Sequence, residues 1–316
     1  MDWNLNERAL AVVEGLLPIA EQLRVQSLPI PGGGRVIDCG VKVGGGLGAG
    51  LSLAQVCTAG LAEVSIIPGD IDGIGCPYVQ VATDNPVAAC LLSQYAGWQI
   101  AVEKFFGMGS GPMRAVAARE DLFEKLDYHE QPSQCVGVLE TDQLPDENVF
   151  AFIAERTNVA AEQITILAAP TASIAGNFQV VARVVETALH KLLELGFDMS
   201  RIVSGYGTAP LSPVAGDFLA GIGRTNDAIL YGGRVTLWVT GDDDSLSAIG
   251  PQVPSVSSSA YGQPFLEIFE AAGRDFYKID PHLFSPAEIL FQNVETGNVQ
   301  RFGNVAPDIL SRSFGF

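Results

Sequence analysis

Arg183, Glu186 and His190 are the residues of this chain whose types and spacing could do chemistry. They follow one another at i, i+3 and i+7, so on a helix all three point roughly the same way. A cation, a carboxylate and an imidazole on one face are groups that catalysis draws on, and the same pattern also describes a solvated face with one ion pair. Two observations favour a site. Charged residues make up only 17% of the chain, so opposite charges set together amid apolar residues are poorly explained as surface filler. The segment also follows a strand and a Pro/Thr/Ser/Gly loop at 170–176, where α/β sheets tend to place binding crevices.

Residues 177–196 must position these groups, and they read as a single amphipathic helix. Val181, Val184, Val185, Ala188, Leu192 and Leu195 form one apolar stripe, with Asn177 as N-cap and Gly196 just past the end. Around it the pattern is β-α-β-α-β: strand 135–140, helix 145–156, strand 164–168, the helix itself, then strand 201–204. Right-handed crossovers predict three parallel strands, with loops 170–176 and 205–213 on one edge and the crevice there. Glu186 lies more than two turns into such a helix, so it is expected to face a side cleft between two lobes.

Length and composition bound the rest. A chain of 316 residues is one large or two medium domains. Its 18 basic against 36 acidic residues give a net charge of -18, which repels nucleic-acid phosphate. Low charge and a mean hydropathy of +0.25 predict apolar or hidden surface, hence an oligomer. The cysteines at 39, 57, 76, 90 and 135 are scattered without a C-x-x-C pair, so neither a disulfide framework nor a zinc site is expected. They read as small buried hydrophobes in a reducing compartment. Met1-Asp2-Trp3-Asn4 does not open a secretory signal, and a cytoplasmic protein is expected. The uncharged stretch 43–62 is glycine-rich and carries Ser52, Gln55 and Thr58, so it reads as a close-packed loop and helix rather than a membrane span.

The remaining segments are read in order. Residues 5–26 predict an amphipathic helix broken by Pro18, followed by a turn at 29–34 and extended segments at 35–38 and 41–43. Gly44, Gly46 and Ala49 satisfy the loose dinucleotide pattern, but no partner acid sits at the expected distance and close backbone packing accounts for the glycines. A strand is expected at 64–67, then a turn-rich stretch 68–77, where Asp70 and Asp72 resemble the start of a calcium loop without its remaining ligands. Asp242, Asp243 and Asp244 likewise read as a solvated turn after a strand at 234–240. In Ser93-Gln94-Tyr95-Ala96-Gly97-Trp98, an aromatic pair around a glycine suits stacking on a flat ring and equally suits ordinary packing. Gly107, Gly109, Ser110, Gly111, Pro112 and Arg114 form either an anion-holding helix start or a tight turn before a helix 114–126. Residues 224–234 are a hairpin on Gly232-Gly233 or a short helix capped by glycine. The segment 292–316 predicts a final short hairpin and loop.

Three motifs carry a family resemblance. The run Gly107-Met108-Gly109-Ser110-Gly111-Pro112 with Arg114-Ala115, the run Asn226-Asp227-Ala228-Ile229-Leu230-Tyr231-Gly232-Gly233-Arg234, and the run Phe276-Tyr277-Lys278-Ile279-Asp280-Pro281 together resemble methenyltetrahydromethanopterin cyclohydrolase, nearly end to end. The resemblance implies a homotrimer of two-lobed α/β subunits with the pterin bound in an interlobe cleft. The lobes are expected near 1–160 and 161–316, with segments possible to exchange. It also implies hydrolysis of the N5,N10-methenyl bridge to the 5-formyl pterin, a step of one-carbon metabolism. Arg183 and Glu186 match the family's essential pair. Glu186 is then the base for water and the proton donor to the departing ring nitrogen. Arg183 orients its carboxylate and favours the ionised form, while a low-dielectric cleft opposes that. His190 is a binding or outer residue. Arg114 and Arg234 are candidates for the anionic substrate tail, and Tyr95, Trp98 and Tyr231 for the flat ring. Ser93, Gly97, Gly109, Ser110 and Gly111 complete the binding set.

A tetrahydromethanopterin derivative is substrate in this reading. No metal, nucleotide or tightly bound cofactor is called for, and no nucleic-acid or membrane partner. The alternative is a non-catalytic pterin-binding or carrier protein on the same fold, which would not need the Arg183–Glu186 pair. A serine hydrolase using Ser204 or Ser110 lacks the G-x-S-x-G elbow.

Overall fold

The computed structural model describes residues 2–316; Met1 and the side chain of Tyr277, both part of motifs read above, lie outside what is described. The strands among these residues are β1 (Gln26–Pro29), β2 (Arg35–Asp38), β3 (Glu63–Ile71), β4 (Ile74–Thr83), β5 (Trp98–Val102), β6 (Phe105–Ser110), β7 (Cys135–Glu140), β8 (Ile164–Ala169), β9 (Ile202–Pro210), β10 (Arg234–Val239), β11 (Glu288–Asn293) and β12 (Val299–Gly303). They form two six-stranded sheets, ordered β1-β2-β8-β7-β6-β5 and β12-β11-β10-β9-β4-β3. With helices beside both sheets, the chain is α/β.

The chain divides into two compact units. The first takes the residues up to Leu61 together with Ala88–Gln179, and the second takes Ala62–Val87 together with Val180–Phe316. In the first, β2 and β7 run parallel to β8, so Val36 pairs with Ile166 and Val138 with Leu167. Val36, Ile100, Phe150, Ile153 and Ile166 fill its core. Helix Glu147–Thr157 supplies Phe150 and Ile153, and Asp146 starts it by accepting from the N–H groups of Asn148 and Val149 at 3.0 and 3.1 Å. In the second unit β9 is central and antiparallel to both neighbours, with Gly207 opposite Val81 on β4 and Val235 on β10.

That pairing corrects the three-strand parallel reading. Strands β7 and β8 are parallel, but β9 belongs to the other sheet, and residues 205–210 are strand rather than loop. The β-α-β rule assumes that successive strands stay in one sheet. Here the chain passes to the second unit between Gln179 and Val180, inside a helix, where no composition change marks the passage.

Several local readings also change. Residues 41–43 are not extended, because the Asp38 carboxylate accepts from the N–H groups of Gly40, Val41 and Lys42 and curls the chain. The stretch read as turn-rich at 68–77 is mostly the long β3–β4 hairpin, turning on Asp72 and Gly73 with φ of 50° and 82°. Helix 114–126 is two short helices, Met113–Ala117 and Asp121–Lys125, separated by Ala118 in the left-handed region. Between the alternatives left open at 224–234, helix Phe218–Gly232 forms, started by Asp217 accepting from Ala220 N–H. The β11–β12 hairpin is followed by a helix, Pro307–Phe314, which the reading of 292–316 as hairpin and loop omitted. Proline at its first position and a left-handed Gly315 just past its end were the signal for it.

The glycines at 44–50 serve close packing: a Cβ at Gly50 would lie 2.5 Å from Phe178, and one at Gly46 would meet the Arg24 guanidinium. All five cysteines are thiols. Among the described residues no helix is long and apolar enough to cross a membrane.

Candidate active site

The helix expected at 177–196 is two helices, Ile174–Val181 and Val184–Glu194. The Ser173 hydroxyl, not Asn177, serves the first N-terminus, accepting from Gly176 N–H at 3.0 Å, and Asn177 is buried within the helix. At the junction Arg183 N–H donates to Val180 O at 3.1 Å, a tight i→i−3 turn, and Thr187 N–H then donates to Arg183 O to open the second helix. No proline or glycine marks the break, and the same apolar stripe continues through it. A periodicity argument therefore reads straight across.

The break changes where the chemistry sits. Arg183 becomes the N-cap residue of the second helix, and Glu186 falls in its first turn. The positive end of a helix dipole favours a carboxylate at that position. Neither charged group lies on a solvated face: Arg183 is 5% exposed and Glu186 4%. Burying two ionisable side chains is costly unless their surroundings compensate, which separates this pair from surface filler. His190, one turn further on, is half-buried. Lys191 beside it was not singled out from sequence although it falls on the buried side of the helix. Its ammonium donates to the carbonyl of His282 at 2.6 Å and to Ser257 Oγ at 3.4 Å. Burial draws it down to about 8, with Asp280 acting the other way.

In the first unit the structure gathers Ser93, Tyr95, Gly97 and Arg114 with a residue the sequence did not flag, Glu120, while Trp98 belongs to the core of that unit, its ring 6.3 Å from that of Phe152. Arg114 is fully buried, and its Nε donates to Glu120 at 2.7 Å. Nη1 reaches the carbonyls of Leu91 and Ser93, both at 3.3 Å, and the guanidinium lies 4.8 Å above the Tyr95 ring. Gly97 has no Cβ because one would sit 2.5 Å from both Glu120 Oε1 and Tyr95. The partnership of Arg114 and Glu120 spans the break between two short helices, so helical spacing could not have revealed it. Nη2 of Arg114, Oε2 of Glu120 and the indole N–H of Trp98 are buried without a hydrogen-bond partner among the described residues.

Ser93 and Ser110 hydroxyls donate to the carbonyls of Cys57 and Val138 at 2.5 and 3.3 Å. Gly109 is needed beneath Met113, whose Cε would lie 2.6 Å from a Cβ there, and Gly111 has φ of 83°.

The other two candidates stand apart from this group in the chain. Tyr231 is fully buried, donates to Gln263 O at 2.5 Å and packs 5.1 Å from Tyr261, so its ring is spent on the core of the second unit. Burial pushes its hydroxyl up to about 12. Arg234 is exposed at the start of β10, opposite Thr208 and Glu288. A hollow of about 340 Å³ on the second sheet is lined by Asp84, Ser204, Tyr206 and Trp238, and Ser204 Oγ donates to Asp84 at 2.7 Å. Among the described residues no three His, Cys, Asp or Glu side chains are grouped to hold a metal ion.

Comparison with known proteins bears on this geometry. The family model described as "Cyclohydrolase (MCH)" matches residues 4–314. A protein of Methanosarcina barkeri named methenyltetrahydromethanopterin cyclohydrolase is 43% identical over 315 residues, covering 99% of this chain and 98% of that protein. One of the same name from Rhodopirellula baltica is 46% identical over 297 residues, covering 92% and 89%. A third, from Methylobacterium nodulans, is 45% identical over 317 residues, covering 98% and 97%.

Proposed function

The chain belongs to the cyclohydrolase family, and from that membership we infer that it hydrolyses the N5,N10-methenyl bridge of methenyltetrahydromethanopterin, with Glu186 and Arg183 as its catalytic pair. The activity follows from the family match over nearly the whole chain. The residue roles rest on one observation: two oppositely charged side chains, three residues apart, are buried together at a helix N-terminus.

The substrate carbon is an amidinium-like cation, so water can add to it without a Lewis acid. Glu186 accepts a proton from the attacking water, and the C–N10 bond then breaks to leave the formyl group on N5. Of the two water protons one ends on N10 and the other is released, which balances the cation's lost charge. A carboxylate that takes and returns a proton contributes about 10²- to 10⁴-fold in such a step. Arg183 orients that carboxylate, whose place in the first turn sets it at the positive end of the helix dipole.

For binding, the buried and incompletely partnered polar atoms of Arg114, Glu120 and Trp98 support a role at the pterin, with Ser93, Tyr95, Gly97, Gly109, Ser110 and Gly111 around them. The anionic tail falls to exposed Arg234, since Arg114 is already committed to Glu120. His190 contributes from beside Glu186. Tyr231 acts through packing. Low charge and positive mean hydropathy support a homo-oligomer, a trimer by family likeness, and the five free thiols suit a reducing compartment such as the cytoplasm.

The test is the loss of methenyl-pterin absorbance with wild type and with Glu186→Gln, alongside substrate binding by both. Binding retained with turnover reduced by about 10²-fold or more supports the roles given. A fully active Glu186→Gln overturns them, and a wild type that binds without hydrolysing overturns the activity.

A further inference from the structure

What places Glu186 is the floor beneath its helix. The helix Val184–Glu194 opens with two valines, and both press on positions where the sheet has no side chain. A Cβ at Gly207 would lie 2.7 Å from Cγ2 of Val185 and 2.9 Å from Cγ1 of Val184. One at Gly205 would lie 3.1 Å from Cγ1 of Val185, and one at Gly233 3.1 Å from Cγ2 of Val184. Gly205 and Gly207 share one face of β9, being two residues apart, and Gly233 immediately precedes β10, the strand paired beside it.

None of these three glycines has a positive φ, so conformational freedom does not require them. What requires them is space. Between them they form a seat that receives the first two residues of the helix, and valine, held to few rotamers, fills it as a stiff knob. The seat explains why the helix starts at Val184 although no breaker residue stands there: the valines are drawn onto the sheet and the chain before them adjusts through the tight turn at Arg183. Of the Gly232-Gly233 motif it takes in Gly233 alone, where a Cβ would also lie 2.6 Å from Ile229 O, whereas Gly232 makes room for Pro210.

We propose that Gly207, with Gly205 and Gly233, is a positioning residue for the hydrolysis: the glycine seat fixes the first turn of the helix, and so the place of Glu186 at its third residue. This rests on the catalytic role given to Glu186. A methyl group at Gly207 cannot be absorbed by the far end of a flexible side chain, so the first turn has to lift. A misplacement of about 1 Å at a catalytic group costs on the order of a hundredfold.

The experiment is Gly207→Ala, assayed for kcat and KM on the methenyl substrate, with thermal unfolding as a check on folding. The expected result is a ten- to hundredfold fall in kcat, as such a misplacement produces, with KM within about twofold, since binding energy common to ground and transition states is untouched. In Gly207→Ala/Val185→Ala, which returns room to the seat, kcat should recover at least about threefold over the single variant. Should Gly207→Ala fail to fold, Val185→Ala alone empties the seat and serves instead, with a fall in kcat at constant KM expected. A folded Gly207→Ala with wild-type kcat overturns the proposal, as does wild-type kcat in Val185→Ala should that variant stand in. Glu186→Gln separates the two ideas: if it remains active the catalytic reading fails, and if it is inactive while Gly207→Ala is normal only the seat fails.

Discussion

The ammonium of Lys191 donates to the backbone carbonyl of His282 at 2.6 Å, tying the helix that carries Glu186 to the short helical turn Pro281–Leu283. The same turn is started by Asp280, which accepts from His282 N–H at 3.0 Å and from Ser258 Oγ at 2.6 Å. One buried cation thereby organises a segment nearly a hundred residues away.

Lys191 should make stability depend on alkaline pH. Its ordinary value of 10.5 falls to about 8 on folding, chiefly through burial. Between these values the unfolded chain holds the proton that the folded protein has lost, so stability rises with pH there. Measured by urea unfolding, wild type should gain on Lys191→Met between pH 7.5 and 9.5. A difference that does not change with pH would sink the idea.

Asp227 should act in the opposite direction. It is buried in helix Phe218–Gly232, accepting from Phe265 N–H at 2.8 Å and Ser313 Oγ at 2.5 Å. Burial pushes its carboxyl up to about 7, although both hydrogen bonds pull it down. The folded state therefore binds the proton more tightly, and the contribution to stability, full below about pH 4, is lost as pH rises through 7. Asp227→Asn cannot ionise, so it should gain on wild type by on the order of 2 kcal/mol between pH 5 and 8. Parallel pH profiles for the two proteins would argue against this.

Arg114 should prove structural as well as binding. Removing one partner of a buried ion pair leaves the other uncompensated, and Arg114→Ala should lower stability by about 3–5 kcal/mol. Lysine should restore little, because a point charge cannot bond Glu120 and two carbonyls while lying flat on Tyr95. A melting temperature for Arg114→Lys equal to wild type would show that the planar geometry is unimportant.

The sequence by itself determined which residues are chemically eligible and most of the elements that bear them. Short, nearly continuous apolar runs such as Cys135–Glu140 and Ile164–Ala169, and the apolar stripe from Val181 to Leu192, are local patterns that any fold must bury. The Arg183–Glu186 spacing and the three motifs are likewise properties of the chain, and they suffice for the family. Tertiary structure decided which sheet receives β9, that the 177–196 helix breaks at Arg183, and that Arg114 answers to Glu120. The physical reason is common to all three. Each depends on a contact between residues distant in sequence or separated by an unmarked break: β9 against β4 and β10, Val184 and Val185 against glycines on β9 and before β10, a guanidinium against a carboxylate across a left-handed residue. Periodicity records which face of an element is buried, but it carries no record of what that face is buried against, and that decided where Glu186 stands.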